Sequence, residues 1–102
     1  MERASAAALC EWLEGEGFRV ERAAHGLPTA FLATWRNGKG PRIGLLAEYD
    51  ALPGTGNKAV PRREASGKRA GHACGHNQIG PANVGAAIAA RRVMEEAGVV
   101  GL

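Results

Sequence analysis

Residues 43–50 read Ile43-Gly44-Leu45-Leu46-Ala47-Glu48-Tyr49-Asp50. The first five form a continuous apolar run, the pattern required of a strand buried on both faces of a sheet. A strand over residues 42–49 is therefore expected. It ends in two carboxylates, Glu48 and Asp50. The C-terminal end of a buried strand is where ligand sites form in open α/β sheets. The fold class that follows is α/β.

Upstream, Asn37-Gly38-Lys39-Gly40-Pro41 is a turn signal between two apolar runs, and it reads as a hairpin connection. The run before it, 29–36, is a second expected strand. There Phe31, Ala33 and Trp35 alternate with Ala30, Leu32 and Thr34. The Gly26-Leu27-Pro28 turn separates it from a strand over 18–22, with Phe18 and Val20 on one face and charges on the other. A first helix is expected over 5–14, capped by Ser5 and ended by Gly15 and Gly17. Ala8, Leu9, Trp12 and Leu13 form its apolar stripe.

Downstream, a long loop over 51–75 holds Pro53, Pro61 and five basic residues, Lys58, Arg62, Arg63, Lys68 and Arg69. A last helix is expected over 77–97, with Ile79, Ala86, Ala87, Ala90, Val93, Met94 and Ala97 along one face. Pro81 is placed in its first turn, where a missing N–H does no harm. Gly98 supplies the stop. The expected order is helix, strand, strand, strand, helix.

The chain has 102 residues, enough for one small domain at most. Its 45% hydrophobic and 23% charged residues give the balance of a soluble globular protein. Aromatic residues are only 5%, which excludes a dense aromatic core. Two cysteines, Cys10 and Cys74, make no disulfide scaffold and point to a reducing compartment. No apolar run approaches the roughly 20 residues of a membrane span. The start, Met1-Glu2-Arg3-Ala4-Ser5, lacks the apolar centre of a secretory signal, so the sequence reads as cytoplasmic. A net charge of +3 is too small to argue for a nucleic-acid partner. The basic loop also lacks the aromatic platforms that single-stranded nucleic acid stacks on.

The segment with most chemistry is Gly71-His72-Ala73-Cys74-Gly75-His76-Asn77. If it is extended, alternate side chains point the same way, and Cys74 and His76 can reach one ion. A thiolate with an imidazole suits Zn²⁺ or another late divalent metal. Glu48 and Asp50 face this segment as further ligands, or as groups that orient a ligand through a hydrogen bond. Glu95 and Glu96 read as an exposed face, with Arg91 and Glu95 as an i,i+4 pair. Along a helix Glu95 lies about 27 Å from Asn77, too far to act in the same site. From these residues alone a small non-catalytic metal-binding or interaction module stays open. Such a module would need Cys10, His25 or His72 to complete its ligands.

Three segments occur in order: Leu27-Pro28-Thr29-Ala30-Phe31, then Leu46-Ala47-Glu48-Tyr49-Asp50-Ala51-Leu52-Pro53-Gly54, then Gly71-His72-Ala73-Cys74-Gly75-His76-Asn77. Together they resemble the amidohydrolase branch of metallopeptidase family twenty, the aminoacylase and carboxypeptidase type. The stretch Asn57-Lys58-Ala59-Val60-Pro61 and the form of the second segment look most like the p-aminobenzoyl-glutamate hydrolase subgroup. The resemblance implies that residues 1–102 are the N-terminal, incomplete part of a zinc-peptidase-like catalytic domain. It implies two divalent ions, Zn²⁺ or Mn²⁺, with Cys74 and His76 as metal ligands and Asp50 as a catalytic residue supporting the site. Glu48 and His72 carry over with no defined role. The implied reaction is hydrolysis of the amide bond of an N-acyl amino acid, p-aminobenzoyl-glutamate or a dipeptide. The complete enzyme is expected to be a homodimer acting on small molecules. Relatives in that family are several hundred residues long, with a glutamate base and further histidines later in the chain. No His follows His76 here, so the 102 residues alone are expected to be inactive.

Overall fold

The computed structural model describes residues 2–101. Met1 and Leu102, the ends on which the leader and chain-length readings rest, lie outside the described residues. The fold is mixed α/β: two helices and two small antiparallel sheets.

Helix α1 spans Arg3–Gly15. Ser5 does not cap it; Glu2 holds that place with no side-chain hydrogen bond. Its C-terminus closes as the sequence suggests, through a glycine in the left-handed region. Gly17 has φ +77°, its N–H donates to the Glu14 carbonyl at 3.0 Å, and the Phe18 N–H donates to the Leu13 carbonyl at 3.0 Å. This is a Schellman closure, and Phe18 and Leu13 both join the core. The buried face of α1 is Leu9, Cys10 and Leu13. Ala8 and Trp12 are exposed, which corrects two of the four stripe positions.

The closure launches strand β1, Arg19–Arg22. A 3₁₀ turn at Ala24–Gly26 reverses the chain, with His25 as a turn residue at φ +54°. Strand β2, Phe31–Thr34, then pairs antiparallel with β1, Val20 opposite Ala33 and Arg22 opposite Phe31. One face of this ribbon, with Val20, Phe31 and Ala33, packs on the helices; Leu32 on the other face is exposed.

The strand expected over 42–49 does not form. Residues 41–51 pair with no other strand, and Ile43, Leu45 and Leu46 are exposed, Leu46 at 93%. A strand exists only through ladder hydrogen bonds to neighbours, and no described residue supplies them. The turn at 37–41 is consequently not a hairpin. Asn37 instead donates to the Val99 carbonyl at 2.7 Å, tying this turn to the end of the second helix.

The long loop over 51–75 is more ordered than expected. Strands β3, Leu52–Pro53, and β4, Ala70–Gly71, pair antiparallel, Leu52 opposite Gly71 and Pro53 opposite Ala70. Thr55 Oγ1 lies 2.8 Å from the Leu52 carbonyl and 2.9 Å from that of Gly71, clamping the neck. Farther out Asn57 bridges to Ala65, and Glu64 pairs with Lys58 at 2.5 Å and Arg62 at 2.7 Å. Gly56 and Gly71 permit the close approach: a Cβ on either would lie 2.0 Å or 2.4 Å from backbone oxygen across the neck.

Helix α2 spans His76–Glu96. Pro81 is its sixth residue, beyond the first turn, so it removes the bond to the Asn77 carbonyl. At the C-terminus Gly98 (φ +64°) completes a second Schellman closure, with the Val99 N–H donating to the Met94 carbonyl at 2.9 Å. The buried face is Gly80, Val84 and Ile88, spaced by four. The face read from sequence lies about a third of a turn away, and its Ala86, Ala90, Val93 and Ala97 are exposed. A helix apolar on most of its circumference gives no sequence signal as to which side its neighbour covers.

The core is the contact of the two helices over the β1–β2 ribbon. Leu9, Leu13, Val84 and Ile88 form its centre, with Phe18, Val20, Phe31, Ala33 and Tyr49 packed around them. Glu16 ties the far end of the helix pair by bonds from Arg92, and Arg91 pairs with Glu95 at 3.1 Å as the spacing predicts. The radius of gyration, 16.6 Å, exceeds the about 13 Å of a compact domain of this length. No helix among the described residues is long and apolar enough to cross a membrane.

Candidate functional site

Three features bring the carboxylates of the 48–50 segment to the start of α2. The first is the β3–β4 pairing, which joins the residues just after Asp50 to those just before His72. The second is Tyr49. Its ring stacks on Phe31 with centroids 6.2 Å apart, and its hydroxyl donates to the Thr29 carbonyl. Burial pushes the Tyr49 hydroxyl above its ordinary pKa. With Tyr49 turned inward, its neighbours Glu48 and Asp50 are both left facing His76. The third is Gly80, one helical turn beyond His76. A Cβ there would lie 3.2 Å from the Tyr49 Cβ and 3.5 Å from Leu9 Cδ1. Only a glycine lets Tyr49 lie this close to the helix without displacement.

His76 is the first residue of α2, preceded by Gly75 at φ +82°. Its side chain is 16% exposed. Nδ1 lies 2.8 Å from Asp50 Oδ1, and Nε2 lies 3.6 Å from Glu48 Oε1. An ionised carboxylate only accepts, so Nδ1 donates. That hydrogen bond holds the Asp50 carboxyl below its ordinary pKa, with a further lowering from the charge of His76 and a smaller one from His72. Beside the acids a cavity of about 280 Å³ is lined by Leu27, Pro28, Thr29 and Ala30 together with Glu48, Tyr49 and Asp50. The first two of the three sequence segments thus share one surface depression, and the third meets two of its lining residues, Asp50 and Glu48, through His76.

Cys74 stands apart. It is exposed, and the left-handed backbone at Gly75 breaks the extended alternation that would have aligned it with His76. Among the described residues no three His, Cys, Asp or Glu side chains converge on a point that could hold a metal ion. The donor chemistry nonetheless suits a divalent cation in part: an imidazole nitrogen fixed by one carboxylate, a second carboxylate across from it, and an exposed thiol two residues away. Cys10 is buried in α1 at 2% exposure, where burial raises its thiol pKa, and His25 lies in the exposed 3₁₀ turn. Neither joins the site, as the small-module alternative would have needed. Sequence reasoning missed Gly80; its one signal is its spacing of four from His76.

Comparison with known proteins defines the class. Over 97 residues, 92% of the chain, the sequence is 43% identical to a subunit of the p-aminobenzoyl-glutamate hydrolase of Escherichia coli (strain K12). It is 41% identical over 76 residues to the Xaa-Arg dipeptidase of Mus musculus, and 38% over 78 residues to that of Homo sapiens. The chain is a homologue of these hydrolases, which are of metallopeptidase family twenty. Of the particular relatives, the bacterial aminobenzoyl-glutamate hydrolase matches more of the chain than the two dipeptidases do. The chain spans 20% of the length of the bacterial relative and 14% of each mammalian one. No profile of a known family matches it, and no solved structure is detectably similar.

Proposed function

We propose that this chain carries part of the active site of a metal-dependent amidohydrolase. The substrate class is an N-acyl amino acid, p-aminobenzoyl-glutamate or a dipeptide. The observation that carries this reading is the contact of Asp50 with His76 at 2.8 Å, made between two of the three segments that resemble the family.

In this reading Cys74 and His76 are metal ligands, and Asp50 fixes the His76 ring by accepting from Nδ1. Such carboxylate–histidine pairing is the usual support of a metal-bound imidazole. Bound Zn²⁺ or Mn²⁺, two ions in the complete enzyme, would supply a Lewis acid for the amide carbonyl and acidify water. The cavity beside Glu48 and Asp50 is where the acyl part of a substrate would rest, against the apolar edges of Leu27 and Pro28. In this reading Glu95 is not the general base, since it is engaged by Arg91 at the far end of α2. The 102 residues alone are therefore inactive, and the complete enzyme is a cytoplasmic homodimer.

Expression of the complete reading frame of the gene tests the proposal. Its product should release free amino acid from p-aminobenzoyl-glutamate or an Xaa-Arg dipeptide. That activity should vanish with His76→Ala and with chelation. A full-frame product that is folded, metal-loaded and inert toward all of these substrates contradicts the proposal.

A further inference from the structure

We propose that residues 42–48 are a docking edge for a second copy of this chain, the two segments pairing antiparallel about a two-fold axis at Leu45. This goes beyond the hydrolase reading and does not depend on it.

The segment is held at both ends and open between them. Upstream, the Asn37 side chain donates to the Val99 carbonyl at 2.7 Å, which fixes the turn at 37–41. Downstream, Tyr49 is stacked on Phe31 and seated against Gly80. Between these anchors Ile43, Leu45 and Leu46 are each more than half exposed. No described residue bonds to the backbone of 42–48. Unpaired backbone beside exposed apolar side chains is a template to which another strand adds.

The occupant follows from the segment itself, Arg42-Ile43-Gly44-Leu45-Leu46-Ala47-Glu48, which is complementary to its own reverse. With Leu45 opposite its copy, Arg42 of each chain stands opposite Glu48 of the other, so both ends close on opposite charges. Ile43 falls opposite Ala47 and Leu46 opposite Gly44, a large side chain over a small one each time. Side chains alternate along a strand, so Ile43, Leu45 and Ala47 meet their partners on one face, and the charges flank Leu46 on the other. Arg42 is exposed and bonds to no described residue, and Glu48 is 51% exposed, so both charges can reach across. A parallel pairing would set Arg42 against Arg42 and Glu48 against Glu48. The antiparallel contact is isologous, the same patch on each copy. Seven residues a side bury less than the ~800 Å² per partner of a standard interface, so the dimer dissociates on dilution.

The test is sedimentation equilibrium of the 102-residue chain across the micromolar range, compared with Arg42→Glu, Glu48→Arg and an equimolar mixture of the two. Far-UV circular dichroism confirms that each variant is folded. The parent should show a monomer–dimer equilibrium. Either single substitution sets like charges opposite each other at both ends and should weaken the dimer at least about tenfold. In the mixture both contacts are attractive again, and a heterodimer about as tight as the parent dimer should form. A parent chain that stays monomeric overturns the proposal. So does a dimer indifferent to the charge reversals, or a mixture that fails to recover it. Oxidative cross-linking gives a second reading, in chains that also carry Cys74→Ser. Leu45→Cys should yield a covalent dimer, because Leu45 meets its copy on the axis. Leu32→Cys, equally exposed on the β1–β2 ribbon, should not. Cross-linking through position 32 in preference to position 45 overturns the proposed edge.

Discussion

Leu13→Ala should come close to unfolding the chain. Leu13 is 2% exposed and sits where α1, α2 and the β1–β2 ribbon meet. The substitution removes three buried carbons, worth about 2.4 kcal/mol at roughly 0.8 kcal/mol each. The cavity left behind raises the loss into the range of about 3–5 kcal/mol, because the neighbours collapse only in part. Only six apolar residues are buried among the described residues, so the total stability lies at or below the low end of the ~5–15 kcal/mol usual for domains. One such substitution therefore consumes most of it. Leu46→Ala deletes the same atoms from a side chain that is 93% exposed and should change stability by no more than about 0.5 kcal/mol. Urea unfolding followed at 222 nm reports both. A Leu13→Ala chain as stable as the parent, or a Leu46→Ala chain that loses more than about 1 kcal/mol, refutes this assignment of the core.

Pro81→Ala should stabilise the chain by about 1–3 kcal/mol, since it restores the N–H that bonds the Asn77 carbonyl; a lower urea midpoint would contradict this. Gly80→Val should cost about 1–3 kcal/mol by pressing on Tyr49 and Leu9, and should shift the His76 ring resonances as Asp50 is displaced; unchanged resonances would refute the role given to Gly80. Cys74 should react with iodoacetamide well before Cys10. Burial both shields Cys10 and raises its pKa, so its thiolate forms only at higher pH, and its rate should approach that of Cys74 only on unfolding.

Local signals carry well from sequence to structure. Gly17 and Gly98 stop the helices because each takes the left-handed backbone, a property of glycine itself. Val20 turns to the core because a period of two can be read in five residues. The Arg91 and Glu95 pair follows from helical geometry alone. What depends on distant partners is misread. The run at 43–47 has the composition of a central strand, but composition does not supply neighbouring strands, and no described residue provides them. The face of α2 is displaced for the same reason, since its alanines suit either side. Within the site, Glu48, Asp50 and His76 are legible as chemistry, and the structure brings them together through Tyr49 and the β3–β4 neck. Aligning Cys74 with His76 requires extended backbone, which the left-handed Gly75 interrupts.

The central claim is that these residues serve amide hydrolysis. The most direct measurement is made on a chimaera in which this sequence replaces the matched 97 residues of the bacterial p-aminobenzoyl-glutamate hydrolase, assembled as that enzyme normally is. Release of p-aminobenzoate is followed with and without His76→Ala and Asp50→Asn. Hydrolysis by the chimaera, abolished by the first substitution and cut at least about tenfold by the second, is the predicted result. A folded chimaera whose hydrolysis is indifferent to His76 and Asp50 contradicts the account.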